Sequence, residues 1–197
     1  MTTTHLLYLH GFRSSPQSAK AQLMAQYMAQ HHPGVVWYCP QLPPSPREAM
    51  EMVAQATAAW PSDTMAVMGS SLGGFYATWV AERRACRAVL VNPAVFPARD
   101  LEKYIGSQTQ WHAPEEHFYF KPEYVQELQA LGCGALQEPQ NYLTFIAKGD
   151  EVLDWREMQA RYAASQLVLI EGGDHALSDF ATHLPRVMAH LAPLSAR

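Results

Sequence analysis

Six short apolar runs punctuate the chain: HLLYLHG (5–11), VVWYCP (35–40), MAVMG (65–69), AVLVNP (88–93), YLTFIAKG (142–149) and LVLIEGG (167–173). Most lack the apolar–polar alternation of a strand with one wet face. They suit a parallel sheet covered on both faces. Several end in Gly, Asn or Pro, as strands do when they feed loops. Helical patterns with recognisable starts lie between them. Ser15-Pro16 puts a cap before a proline at the first helical position. Ser45-Pro46-Arg47-Glu48 reads as a capping box, after which Met50, Val53, Ala54, Thr57 and Trp60 share one face. Phe75, Thr78, Trp79 and Glu82 continue a helix out of a glycine-rich stretch. Asp154-Trp155-Arg156-Glu157 starts another, with Met158 and Tyr162 facing inward. The last helix is expected over 178–191, bent near Pro185, which lacks an amide proton.

This β-α alternation predicts a three-layer, doubly wound α/β domain over 1–197, with a mostly parallel sheet of about six strands. Right-handed crossovers with helices on both faces force a reversal in strand order. Ligands bind there, at the carboxyl ends of the strands. One connection breaks the rhythm. Residues 96–140 carry DLEKYIG, the aromatic cluster HFYF (117–120) and a short helix near 122–131 that Gly132 can cap. An insertion at this point is expected over the carboxyl edge of the sheet, as a lid would lie. The alternative is an ordinary crossover helix with long loops.

Composition narrows the chemistry. With 197 residues, 48% of them hydrophobic, the chain can bury one sizeable core. Net charge is -4 and no Lys/Arg block occurs, so nucleic acid is not an expected partner. MTTTHLLYLHG lacks the basic start of a signal peptide, and no apolar run approaches the ~20 residues of a membrane span. Cys39, Cys86 and Cys133 are odd in number and form no CxxC. They argue against a disulfide framework or zinc site and fit a reducing cytoplasm, with all three as small core residues. His31-His32 has no carboxylate at ligand spacing, so neither metal nor cofactor is expected. The expected partner is a small-molecule substrate.

The chemistry centres on VMGSSLGGF (67–75). Gly69-Ser70-Ser71-Leu72-Gly73 fits G-x-S-x-G between a strand and a helix, the setting of a nucleophile elbow with Ser71 at its tip. Ser70 sits one residue early and should point elsewhere. A plainer reading makes both serines caps for the helix starting at Leu72. A serine hydroxyl needs a base and a group to orient that base. In strand–helix hydrolases these follow in the order Ser, Asp, His. Asp150 lies just past the fifth strand and His175 just past the sixth, on the edge that carries Ser71. Asp154 has a helix to cap, and Asp174 is the immediate neighbour of His175, so Asp150 is the expected orienting group. Oxyanion donors are expected from the backbone amides of Leu72 and Phe12, the latter after the turn at Gly11. His10 reads as a residue that stabilises that turn.

At these residues the chain resembles a known family. YLHGFRSSPQSAK, MGSSLGG, LVNPAV, GDEVLD and EGGDH are similar, in order, to the YqiA-like esterases, small bacterial α/β-hydrolases. The resemblance implies a serine carboxylesterase acting on short-chain acyl esters, with acyl-CoA thioesters as a further class. It carries onto Ser71, Asp150 and His175. A thioesterase, perhydrolase or carbon–carbon hydrolase would keep the same three residues. Arg13 and Lys20 follow the oxyanion loop, where they would meet a phosphorylated substrate or simply be solvated. A non-catalytic binding protein on the same fold would be favoured by loss of Ser, Asp or His, and none is lost. Trp111, Phe118, Tyr119, Phe120 and Tyr124 are too many aromatics for a solvated connection. At least one of Phe118 and Phe120 is therefore expected to line the acyl pocket.

Overall fold

The computed structural model describes residues 2–193. Each apolar run forms a strand of one six-stranded sheet: β1 (His5–Leu9), β2 (Val36–Tyr38), β3 (Met65–Ser70), β4 (Arg87–Val91), β7 (Tyr142–Ala147) and β8 (Gln166–Ile170). All pairings are parallel, in the order β2-β1-β3-β4-β7-β8. The order reverses between β1 and β3, so their two end loops flank the crevice where such sheets bind ligands. Every residue of β3 and β7 is buried, which explains their unbroken apolar character.

Strand alternation divides the core into two faces. Leu7, Leu9, Val67 and Leu90 point to the side covered by α2 (Pro46–Ala56), α3 (Leu72–Arg84) and α6 (Trp155–Tyr162). Leu6, Tyr8, Met68 and Val89 point to the side of α1 (Ala19–His31) and α7 (Leu184–Leu191). Ser45 Oγ accepts the Glu48 amide at 3.2 Å, as its capping position requires. Asp154 accepts the Arg156 amide at 2.9 Å and starts α6 in the same way. Ser15-Pro16 does not start α1. Ser15 accepts the Gln17 amide on its side chain and the Ser18 amide on its carbonyl, closing a turn that delays the helix to Ala19. The last helix is not one bent rod either. A 3₁₀ turn (Phe180–His183) precedes α7, and Pro185 lies in the first turn of α7, where no amide donor is needed.

Between β4 and β7 the chain forms α4 (Pro97–Leu101), a 3₁₀ turn (Glu102–Tyr104), the antiparallel pair β5 (Gly106–Thr109) and β6 (His117–Phe120), and α5 (Pro122–Ala130). Glu127 of α5 takes hydrogen bonds from the Ser45 hydroxyl and the Arg47 amide, which fastens this segment to the start of α2. Its hairpin is held to the loop after β1. Arg13 donates to the Thr109 carbonyl at 2.6 Å and its hydroxyl at 2.8 Å, and the Trp111 amide donates to the Arg13 carbonyl at 2.8 Å. Arg13 is thus engaged in the fold, not solvated.

The cysteines are all free thiols, but only Cys86 is buried, while Cys39 and Cys133 are half-buried. Burial pushes the Cys39 and Cys86 thiols up to about 12. Among the described residues no helix is long and apolar enough to cross a membrane.

The tightest packing in the sheet is at Gly73, where α3 lies against the end of β1. A Cβ there would fall inside van der Waals contact with the Leu9 carbonyl. Gly134, at normal φ, has open space around the same position. Gly73→Ala is therefore expected to cost about 3 kcal/mol or more, and Gly134→Ala less than about 0.5 kcal/mol. Urea unfolding monitored by circular dichroism measures both.

Candidate active site

The candidate nucleophile sits on a strained turn. Ser71 joins β3 to α3 at φ 57° and ψ -123°, a conformation that a side-chain-bearing residue holds only when its surroundings impose it. Three glycines make the turn possible. A Cβ on Gly69 would meet the Gly73 carbonyl, one on Gly73 the Leu9 carbonyl, and one on Gly74 the ring of Pro93 at 2.7 Å. Hydrogen bonds hold the turn from the end of β4: the Ser71 amide donates to the Val91 carbonyl, and the Ala94 amide donates to the Ser71 carbonyl, each at 3.0 Å. The Ser71 hydroxyl does not cap α3. It lies 2.9 Å from His175 Nε2. Ser70 ends β3 as a buried residue.

His175 Nδ1 is 2.8 Å from Asp150 Oδ2. A carboxylate only accepts, so Nδ1 carries the ring proton and Nε2 accepts from the Ser71 hydroxyl. Asp150 is itself held. Its Oδ1 takes the amides of Val152 and Leu153, both at 2.8 Å, which leaves Oδ2 for the imidazole. Asp154 is occupied in capping α6. Asp174 accepts the Ser178 amide at 2.8 Å and the Ser178 hydroxyl at 2.5 Å, bonds that hold its carboxyl below the usual carboxylate range. Of the three aspartates, only Asp150 meets the ring. Glu151, not singled out from the sequence, accepts the His175 amide at 3.0 Å. Its only signal was its place inside GDEVLD.

The loop after β1 passes directly over the serine. A Cβ on Gly11 would stand 3.3 Å from Ser71 Cβ and 3.7 Å from its Oγ. Phe12 follows Gly11, and Leu72 is the first residue of α3, where a helix leaves its amides without internal partners. His10 props this loop from within the core. Its Nε2 accepts the Leu42 amide at 3.0 Å, so Nδ1 bears the proton and donates to the Gly11 carbonyl at 3.0 Å. Burial pushes its pKa down, which agrees with a neutral ring.

Ser71 and His175 line a cavity of about 730 Å³. Leu101, Tyr104 and Trp111 of the segment between β4 and β7 line it, with Leu153. Lys20 and Leu23 of α1 and Phe180 line it as well. Phe118 and Phe120, expected to line the acyl pocket, are not among the residues that line the cavity. They lie two apart on β6, on one face, and pack edge-on against Phe12 at 6.1 and 5.2 Å between ring centres. Phe120 is 1% exposed. Both aromatics support the Phe12 loop from below, and Tyr104 and Trp111 take the cavity wall. Lys20 is not freely solvated either: it donates to the Ala176 carbonyl, and burial lowers its pKa.

Residues 5–192 match the model of the uncharacterised protein family UPF0227, the YqiA family, and the chain belongs to it. Solved structures share the fold. A putative hydrolase from Agrobacterium vitis S4 superposes with a TM-score of 0.76 at 17% identity, over 97% of this chain and 91% of that one. The α/β hydrolase domain-containing protein 10 from mouse gives 0.70 at 12% identity, over 96% and 91%. Est1E from Butyrivibrio proteoclasticus with ferulic acid bound gives 0.68 at 15% identity, over 97% and 87%. The architecture is thus that of the α/β hydrolases.

Two expectations follow from this geometry. With Ser71 acting as a nucleophile, Asp150→Asn should lower turnover of a p-nitrophenyl ester by about 10⁴-fold, because an amide facing Nδ1 favours the wrong tautomer. Asp154→Asn, still a good helix cap, should change it by less than about twofold. Steady-state rates on the folded variants compare them. His10 has a depressed folded-state pKa, so the unfolded chain binds the proton first as pH falls. Its contribution to stability is full above the unfolded value of 6.5 and is lost as pH drops below that. His190, also depressed by burial, adds to the same slope. Urea midpoints should fall between about pH 7.5 and pH 5.5, and less steeply in His10→Gln.

Proposed function

We propose that this UPF0227 protein is a serine hydrolase that cleaves carboxylic esters of short acyl chains through a covalent acyl-enzyme. The observation that carries the reading is the continuous chain from Ser71 Oγ to His175 Nε2 at 2.9 Å and from His175 Nδ1 to Asp150 at 2.8 Å, at a cavity wall. In this reading, Ser71 Oγ attacks the ester carbonyl as His175 Nε2 takes its proton. Asp150 stabilises the imidazolium. The amides of Leu72 and Phe12 receive the oxyanion of the tetrahedral intermediate. Collapse breaks the bond to the alcohol, which leaves with the proton from Nε2. Water then repeats the sequence on the acyl-serine, releasing the acid and restoring the hydroxyl. The cavity's volume of about 730 Å³ lies within the usual range of small-molecule sites.

Cleavage of an acyl thioester with a phosphorylated leaving group is the second reading, and Lys20 is the observation that favours it. It is a cation in the wall of the same cavity as Ser71 and His175. Matched oxygen and sulfur esters of one acyl group, compared by kcat/KM, rank the two.

Reaction with a fluorophosphonate probe followed by peptide mapping tests the nucleophile. The adduct is expected on Ser71. Ser71→Ala should lose about 10⁴-fold or more in ester turnover, while Ser70→Ala should retain most of it. An adduct on Ser70, or full activity in folded Ser71→Ala, would remove the reading.

A further inference from the structure

His175 is held at its ring by Asp150, yet a ring can be only as well placed as the loop that carries it. At its start the Gly172 carbonyl accepts the Gly149 amide at 2.8 Å. Gly172 and Gly173 precede Asp174 at φ 73° and 74°, and both are exposed. Its buried tether comes from elsewhere in the chain. Asn92, 0% exposed at the end of β4, donates from Nδ2 to the carbonyls of both Asp174 and His175, each at 3.0 Å. Its Oδ1 accepts the amide of Ala147, the last residue of β7, at 2.8 Å. Ala147 in turn accepts the Asp150 amide on its carbonyl at 3.2 Å. Turning the amide over would set an oxygen against two carbonyls and the NH₂ group against an N–H donor, so its orientation is fixed.

The neighbours of Asn92 complete the pattern. Val91 and Ala94 bracket Ser71 by the backbone hydrogen bonds described above. Val91, Asn92 and Ala94, at the end of β4, therefore touch the supports of all three members: the Ser71 turn, the strand leading to Asp150 and the loop bearing His175. Asn92 has φ 41°, in the left-handed region that Asn tolerates better than most residues with a side chain. The strain persists because the amide is fully engaged.

Resting on the serine-hydrolase reading, we propose that Asn92 is a positioning residue. It sets the His175 backbone so that one ring orientation meets Asp150 and Ser71 together. Glu151, on the His175 amide, and Lys20, on the Ala176 carbonyl, are the more accessible tethers of the same loop.

The test uses Asn92→Gly, which keeps the left-handed backbone accessible and removes the amide, beside the near-isosteric Asn92→Asp, which turns the two donors into an acceptor. Both are compared with the wild type and with Ser71→Ala. Competent sites are counted by fluorophosphonate titration, and kcat and KM for a p-nitrophenyl ester are expressed per competent site. Misplacing a reacting group by about 1 Å costs about 100-fold. Asn92→Gly should therefore lose about 100-fold in kcat, with KM changed by less than about threefold and labelling of Ser71 slowed in parallel. Asn92→Asp should lose at least as much. Wild-type kcat per site and labelling rate in either folded variant would overturn the proposal. Collapse of both variants would count against it as well, since the amide would then be a requirement of the fold and not of the ring's setting. A wild type that is inert to the probe, or a fully active Ser71→Ala, would overturn the serine-hydrolase reading itself, and so the two failures are distinct.

Discussion

The contact between α3 and the end of β1 governs the rest of the site. At Gly73 the helix backbone approaches the Leu9 carbonyl so closely that no side chain fits. The approach requires the chain to leave β3 in a sharp turn, and the turn forces Ser71 to positive φ. Such a conformation costs of the order of 1–3 kcal/mol. The β4 end offsets this cost by pairing both the amide and the carbonyl of Ser71. The same approach brings Gly11, on the loop after β1, against the Ser71 side chain. One steric fact thus joins the sheet reversal, the exposed hydroxyl and the loop above it.

The sequence carried most of this frame. Strands buried on both faces read as unbroken apolar runs, so all six were legible, and their carboxyl ends brought Ser71, Asp150 and His175 to one edge. What it hid follows a pattern. The hairpin β5–β6 has strands of four residues, and GSQT shows neither an apolar run nor a hydrophobic alternation. It exists because Arg13, 96 residues from Thr109 in the chain, grips it from another loop. Ser15 looked like a helix cap because capping and turn closure ask for the same hydroxyl, and only the later Ser18 amide decides between them. Phe118 and Phe120 misled for a related reason. An aromatic cluster reports that surface is buried and does not report what buries it, and here it is Phe12. Asn92 was visible in LVNPAV only as a strand-ending residue. Its three side-chain bonds all reach more than 50 residues along the chain.

The inserted segment is connected to the chemistry through Phe12 and Arg13. Phe12, whose amide is a proposed oxyanion donor, packs on Tyr104, Phe118 and Phe120 of that segment. Arg13 stands over the ring of Trp111 at 4.2 Å and holds Thr109. Trp111 and Tyr104 line the cavity. A change in the aromatic packing of the segment would therefore reach both the cavity wall and the donor loop. In the proposed reaction, acyl selectivity and oxyanion geometry would thus be coupled by shared residues.

Two histidines on this edge bear the proton on the same nitrogen, and their surroundings give them opposite chemistry. His10 Nδ1 donates to a neutral carbonyl, and its Nε2 faces the Leu42 amide. Protonating Nε2 would break that bond and set two donors against each other in a site 3% exposed, with no carboxylate to balance the charge. His175 Nδ1 donates instead to the carboxylate of Asp150, whose side chain is shielded from water, while Nε2 faces a hydroxyl that can give up its proton. Protonating this ring strengthens the bond to Asp150 and makes Nε2 a donor to whatever leaves. The first imidazole is a fixed spacer, and the second is the base of the proposed reaction. The difference comes from what faces each nitrogen and not from the residue type, and for this reason HG in the opening motif and DH in the last one carry such different weight.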